Sequence, residues 1–251
     1  MEAIDSDPLH ACPVPICPIC EAPAPDLIRS FTIDVVATHF IPAARDLKRH
    51  GELRKLLTEL WEGRESVDIH LCRNCSFGFA HPWVAGSDRF YNLVSDSNPH
   101  YPRNRWEFDR TIECLSARFR TITSERKLRL LEIGSGDGAF LKKLRASPIG
   151  PAFSPLALEY DRGAVEKLGQ AGFEISSNSA QQLAERDSHR GEFAAICLFQ
   201  TLEHIADIHG LFWAMRALLG EDGALFISAP FGPSTEVQEE LTSYWDLPPN
   251  H

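Results

Sequence analysis

Four cysteines stand in two C-x-x-C pairs, Cys17-Pro18-Ile19-Cys20 and Cys72-Arg73-Asn74-Cys75. Two such pairs can supply four thiolates to one tetrahedral, closed metal site, and zinc is the metal that such a site suits. Cys12, His10 and His70 are alternative ligands. A redox role for either pair fits less well, because neither pair opens a helix after a strand. A second dense cluster is Glu132-Ile133-Gly134-Ser135-Gly136-Asp137-Gly138. Glycines at this spacing permit a tight turn and let a ligand approach the backbone closely.

Two ligand classes compete for that loop. Gly134-x-Gly136-x-x-Ala139 formally satisfies a dinucleotide fingerprint, which seats a pyrophosphate on a helix N-terminus. Glu132 just before the loop and Asp137 within it would repel a pyrophosphate. S-adenosylmethionine carries a sulfonium and an ammonium group and no phosphate, so the same carboxylates favour it. A nicotinamide-dependent oxidoreductase is disfavoured on that ground. The next strand ends in Leu158-Glu159-Tyr160-Asp161, where a carboxylate can accept two hydrogen bonds from ribose hydroxyls. Glu159 is the expected ribose ligand with Tyr160 beside it, and Asp161 is the reserve. Methyl transfer to a hydroxyl or an acidic carbon is helped by a general base. Glu203, His204 and His251 are the candidate bases, and Tyr91 and Tyr101 are aromatic residues able to reach over such a site.

The elements that must position these residues follow from periodicity. Residues 1–26 are proline-rich and predict extended or turn structure. Leu53, Leu56, Leu57, Leu60 and Trp61 recur at helical spacing within residues 43–62. Val67–Leu71 reads as a short strand leading into the second cysteine pair. Residues 77–104 read as an irregular linker, and Arg105–Thr121 as a helix. From Lys127 strands and helices alternate: Leu128–Ile133, Leu156–Tyr160, Phe173–Ser176, Phe193–Phe199 and Gly223–Ala229 are the strands. That alternation predicts an α/β fold with a mostly parallel sheet and flanking helices. Cys114 and Cys197 fall in a helix and a buried strand and are expected in the core. The predicted parts are a Cys-rich N-terminal segment with a helical insertion (1–82), a linker with a leading helix (83–124), and a cofactor-binding domain (125–251).

The composition is that of a globular protein: 251 residues, 43% hydrophobic and 24% charged. A net charge of -10 argues against a nucleic-acid partner. No apolar run is long enough to span a bilayer. Met1–His10 holds Glu2, Asp5 and Asp7 with no basic run, unlike a secretory signal, so a cytoplasmic, thiol-reducing setting is expected.

Glu132–Gly138, Glu159, Phe199-Gln200-Thr201-Leu202-Glu203-His204 and Leu218–Gly223 together resemble the class I S-adenosylmethionine-dependent methyltransferases. The resemblance is to the broad bacterial group with a leucine-glutamate-histidine element after the fourth strand, over roughly residues 105–251. It implies a Rossmann-like sheet, a Gly134–Gly138 loop that cradles the methionine and ribose portions, Glu159 at the ribose and Gln200 near the methionine end. The family often places an acid at the adenine amine after the third strand. Here Asn178-Ser179-Ala180-Gln181 stands there, which leaves the backbone and Ser179 or Ala180 for that contact. The cysteine pairs resemble the zinc-ribbon segment preceding some bacterial methyltransferases, including sugar C-methyltransferases. Those often carry a glycine after each pair, where this chain has Glu21 and Ser76. By analogy the acceptor is a small molecule such as a sugar or a natural-product intermediate. Tyr244–His251 resembles a segment that relatives follow with a helix and two more strands. The expectation is therefore a fragment, a shortened gene, or a second copy or other chain completing the sheet edge. An adenosylmethionine-binding assembly protein without catalysis is the alternative reading.

Overall fold

The computed structural model describes residues 15–94, 105–119, 127–229 and Pro248. The chain divides into two compact units, Met1–Val84 and Ala85–His251.

In the first unit β1 (Asp26–Thr32), β2 (Ser66–Leu71) and β3 (Gly78–His81) form an antiparallel sheet in that order. Helices α1 (Ile33–Phe40) and α2 (Leu47–Leu60) connect β1 to β2. Each helix starts where a side chain takes up an orphan backbone donor. The Thr32 hydroxyl accepts from the Val35 N–H at 3.4 Å, and Asp46 Oδ1 accepts from the Arg49 N–H at 3.0 Å. Leu53, Leu56 and Leu57 bury along one stripe of α2, and Val36, Phe40, Ile41 and Trp61 are buried with them. The unit therefore has an apolar core of its own. The expected helix in 43–62 is α2, whereas β1 and α1 were not anticipated. In β1 a register break between Leu27 and Arg29 disrupts the alternation that would have announced a strand. The stretch read as an irregular linker contains β3 and, in the second unit, α3 (Asp88–Val94).

The second unit holds a five-stranded parallel sheet of order β6-β5-β4-β7-β8. Its strands are β4 (Leu128–Ile133), β5 (Phe153–Leu158), β6 (Glu174–Ser176), β7 (Phe193–Phe199) and β8 (Leu219–Ser228). Between and before them run α4 (Trp106–Phe119), α5 (Ala139–Ala146), α6 (Arg162–Gln170), α7 (Ala180–Ala184) and α8 (Ile208–Leu218). The chain moves outward in one direction from β4 through β6 and in the other through β7 and β8. The order reverses between β4 and β7, the place where such sheets bind ligands.

Alternation along the strands builds two separate cores. Leu130, Ala157, Ala195 and Cys197 pack with Phe108, Leu115, Phe140, Leu144 and Leu168 of α4, α5 and α6. Leu131, Ile133, Leu156, Ile196 and Leu198 face the other way, against Leu183 of α7 and Leu211, Met215 and Leu218 of α8. Strands apolar on both faces are what a helix-covered parallel sheet requires. Strand β8 starts earlier than expected, at Leu219. It absorbs Gly220–Gly223 as an irregularity opposite Phe193 and Ala195, where the sequence suggested a turn. Cys197 is buried as expected, but Cys114 is exposed: it falls off the Phe108–Thr111–Leu115–Phe119 stripe by which α4 packs. Among the described residues no helix is long and apolar enough to cross a membrane.

Candidate functional site

Strand β4 delivers Glu132 and the glycine loop to the switch point. Gly134 adopts φ +71°, and a Cβ there would lie 2.5 Å from Thr201 Oγ1. Gly138 adopts φ +76°, and its Cβ would lie 2.5 Å from Leu168 Cδ2. Both positions therefore favour glycine for conformation, and Gly134 also for space, since the whole short side chain of Thr201 stands against it. The loop is pinned to the neighbouring strand, since the N–H groups of Gly134 and Ser135 donate to the Leu158 carbonyl at 3.0 and 3.2 Å. The Ser135 hydroxyl closes the turn by donating to the Glu132 carbonyl at 3.0 Å.

Glu132 is 3% exposed, and its Oε2 has no hydrogen-bond partner. Burial, followed by the nearby Glu159 charge, raises its pKa well above the carboxylate range; Ser135 opposes this and Asp137 adds to it. A cation beside the carboxyl would favour its charged form and oppose that shift. A buried polar atom left unpaired at a strand end is costly unless a ligand satisfies it. Arg105, Phe108, Glu132, Gly134, Ser135, Gly136, Asp137, Phe140 and Phe199 are among the residues lining the pocket at this point. A larger groove lies elsewhere, along Phe212, Trp213, Arg216 and Leu225, away from all these groups.

Glu159 sits at the end of β5 and is wholly engaged with backbone. Its Oε2 accepts from the Gly136 N–H at 2.6 Å, and Oε1 accepts from the Tyr160 and Asp161 N–H groups at 2.8 and 3.0 Å. Asp161, the reserve ribose candidate, caps α6 by accepting from the Ala164 N–H at 2.8 Å. Tyr160 is exposed beside it. Ser179 is committed to a capping box with Gln182 at the start of α7, and Ala180 is 3% exposed in the core. The Ser179 hydroxyl is therefore already used.

After β7 the backbone turns sharply. Gln200 adopts φ +53°, unusual for a residue with a side chain. Its N–H donates to the Ser228 carbonyl at 2.8 Å and its Nε2 to Ser228 Oγ at 3.2 Å. The Ser228 hydroxyl in turn donates to Glu107 Oε1 at 3.2 Å. Leu202–His204 then forms a single 3-10 turn. Desolvation raises the Glu203 carboxyl to about 7, against the lowering effects of its own backbone and of Arg105. His204 Nδ1 lies 3.2 Å from the Tyr91 hydroxyl of α3, with the rings edge to face. Tyr91 was one of two tyrosine candidates in the sequence, with Tyr101. Arg105 was missed entirely, because only the fold brings it beside Glu132 and Asp137. His251, Tyr101, Cys12, His10 and Tyr244–Leu247 lie outside the described residues.

The first unit brings Cys17, Cys20, Cys72 and Cys75 together, with all four sulfurs within 4.8 Å of one another. Cys17 and Cys75 are 3.7 Å apart, and Cys20 and Cys72 3.5 Å. A tetrahedral dication with bonds of about 2.3 Å spaces its sulfurs by about 3.8 Å. The two knuckles repeat one hydrogen-bond pattern. Glu21 N–H donates to Cys17 O while Cys17 N–H donates to Ala22 O; Ser76 N–H donates to Cys72 O while Cys72 N–H donates to Phe77 O. Glu21 and Ser76 adopt φ +58° and +59°, which explains why glycine suits these positions. The thiols are unlike one another. The Asn74 amide, then the Ala22 backbone, pull Cys20 down to about 6 against burial. Cys75 stands at about 12: the Phe77 backbone favours its ionisation, but burial and the other three sulfurs oppose it. Four sulfurs this close cannot all ionise without a cation between them. His70 stacks on Phe79 and is not part of the group.

Comparison with known proteins follows this geometry. No curated protein matches the chain. Solved structures that resemble it include a Methanococcus maripaludis protein assigned as an S-adenosyl-L-methionine-dependent methyltransferase. It is 20% identical, with a TM-score of 0.37 over 53% of this chain and 59% of that one. The YcgJ protein of Bacillus subtilis is 15% identical, with a TM-score of 0.41 over 54% and 55%. The plantazolicin methyltransferase BpumL, in complex with SAH, is 14% identical, with a TM-score of 0.41 over 53% and 50%. This chain thus spans between 50% and 59% of the length of these proteins. A family model described as a methyltransferase domain matches residues 84–251, well over half of the chain. On that match, the chain belongs to the methyltransferase-domain family.

Proposed function

We propose that the second unit binds S-adenosylmethionine in the Gly134–Gly138 loop and transfers its methyl group to a small-molecule acceptor. The observation that carries this reading is the fully buried Glu132 carboxyl with its unpartnered Oε2 beside the loop. A pyrophosphate would meet that group and Asp137 as repulsion; an ammonium would pair with them. The cofactor, when bound, supplies an electrophilic methyl group on a sulfonium. The chain's own residues hold and orient. Glu132 and Asp137 face the amino group, and Glu159, with Oε1 taken by two N–H groups and Oε2 by one, offers the remaining acceptor site on Oε2 to a ribose hydroxyl. Tyr91 and His204 form a proton-sharing pair, and Glu203, with its raised pKa, is a second group able to accept a proton near neutrality. The first unit holds a structural zinc through Cys17, Cys20, Cys72 and Cys75.

The direct test is thermal unfolding in the presence of S-adenosylmethionine, S-adenosylhomocysteine or NAD. A ligand that binds only the native state raises the midpoint. Stabilisation by the two adenosyl ligands supports the proposal, and stabilisation by NAD alone overturns it. Binding without turnover on a broad acceptor panel supports the non-catalytic reading instead.

A further inference from the structure

We infer that Asn74 is a positioning residue of the four-cysteine site: it donates to one sulfur of each cysteine pair and so sets how tightly the site holds its metal. The inference rests on the structural-zinc reading above. The Asn74 backbone N–H donates to Cys72 Sγ at 3.4 Å, and its side-chain Nδ2 donates to Cys20 Sγ at 3.4 Å. The first bond stays within the second pair. The other reaches the first pair, 54 positions back along the chain. Cys20 and Cys72 are themselves 3.5 Å apart. Both donors of Asn74 therefore serve one edge of the sulfur tetrahedron.

Charge explains why a donor belongs there. Four thiolates around one dication leave an excess of negative charge on the sulfurs. Hydrogen bonds from outside the site take up part of that charge, orient the ligand and tune the metal. An asparagine amide has a donor end and an acceptor end. Only the donor end is favourable against a thiolate, since the carbonyl end would repel it. Arg73, the cation beside Asn74, is committed elsewhere: its Nε donates to Asp26 Oδ1 at 2.8 Å. The position in the first pair that matches Asn74 is Ile19, which packs against the Cys17, Cys72 and Phe79 cluster and has no side-chain donor. Side-chain donation thus runs one way, from the second pair to the first. Asn74 is exposed. Truncating it opens no buried cavity, so a change in metal affinity reports the lost donor rather than lost packing.

The experiment uses the full chain as wild type, Asn74→Ala and Asn74→Asp. Each competes for zinc against a chromophoric chelator of known affinity, and each is also loaded with cobalt as a spectroscopic substitute. Asn74→Ala should weaken zinc binding about tenfold to a hundredfold, the scale for losing a partner of a metal ligand. Asn74→Asp keeps the size of the side chain but sets an anion beside the Cys20 thiolate, and should lose more. A closed site of four sulfurs leaves that carboxylate no position on the metal. In the cobalt forms the sulfur-to-metal charge-transfer band should move to longer wavelength in both variants, because a sulfur without its donor gives up an electron more easily. The ligand-field bands of tetrahedral cobalt should stay in place, which shows that the four sulfurs still bind. Wild-type affinity in both variants overturns the inference. Weaker binding with an unmoved charge-transfer band also overturns it, since Asn74 would then support the loop and not the sulfur. If wild type takes up neither zinc nor cobalt, the zinc reading itself fails and the role of Asn74 with it.

Discussion

The Glu159 carboxylate reaches back across the strand ends and accepts a hydrogen bond of 2.6 Å from the N–H of Gly136. One side chain therefore fixes the loop and presents an acceptor site beside it. Glu159→Ala should lose both roles, weakening S-adenosylhomocysteine binding about tenfold or more. Glu159→Gln keeps a carbonyl for Gly136 and should lose less. Calorimetry on both variants checks this, and equal losses would separate Glu159 from the ribose.

Glu132 gives a pH signature. Its pKa is raised in the unliganded protein, chiefly by burial, and a bound ammonium favours its charged form. Ligand binding should therefore release protons, seen as a binding heat that changes with the ionisation enthalpy of the buffer. Glu132→Gln should abolish that release and weaken binding. It should also stabilise the unliganded protein at neutral pH, because it removes a carboxyl whose ionisation burial disfavours in the folded state.

Glu203 makes the same sign visible in stability. Its folded pKa of about 7 lies above the ordinary value of 4.5. The stability linked to its proton is complete below about pH 4.5 and is lost as the pH rises through about 7. Denaturant unfolding at about pH 5 and about pH 7.5 should show a smaller difference in Glu203→Gln than in wild type.

The loop glycine most constrained by its neighbour is Gly134. Gly134→Ala should destabilise the second unit by about 1–3 kcal/mol, from the positive φ and the approach to Thr201. Thr201→Ala in the same chain should return the steric part but not the conformational part. Urea midpoints of the single and double variants distinguish the two.

The cysteine cluster predicts about one zinc per chain by elemental analysis. Cys20→Ser should lower the metal content, and a chelator should lower the unfolding midpoint of the first unit. Protein prepared with zinc present but containing none would remove the metal assignment.

Much of this was legible in the chain itself, for identifiable reasons. The strands β4 and β7 announce themselves because a parallel strand covered on both faces is largely apolar, as Phe193–Phe199 is throughout and Leu128–Ile133 is apart from Arg129 and Glu132. Glu132 drew notice because it interrupts one of those runs with a charge. The cysteines were visible through spacing alone. What escaped depended on contacts across the fold. Strand β1 is largely exposed and bulged, so its alternation is broken. Arg105 stands at the edge of a proline-bearing stretch, and only the fold brings it beside Glu132 and Asp137. That Ser179 and Asp161 are spent on helix caps, leaving Glu159 at the strand end, required hydrogen-bond partners that no spacing reveals.

The odd–even alternation along β4 has a consequence for how this unit can change over time. Leu130 belongs to one core and Leu131 to the other, with the sheet between them. Substitutions far apart and without shared neighbours add in their effects on stability. Drift in the α4, α5 and α6 layer is thus largely invisible to the α7 and α8 layer. Each helical face can diverge at its own pace, while the strand tips, where Glu132, Glu159 and Gln200 emerge, answer to both.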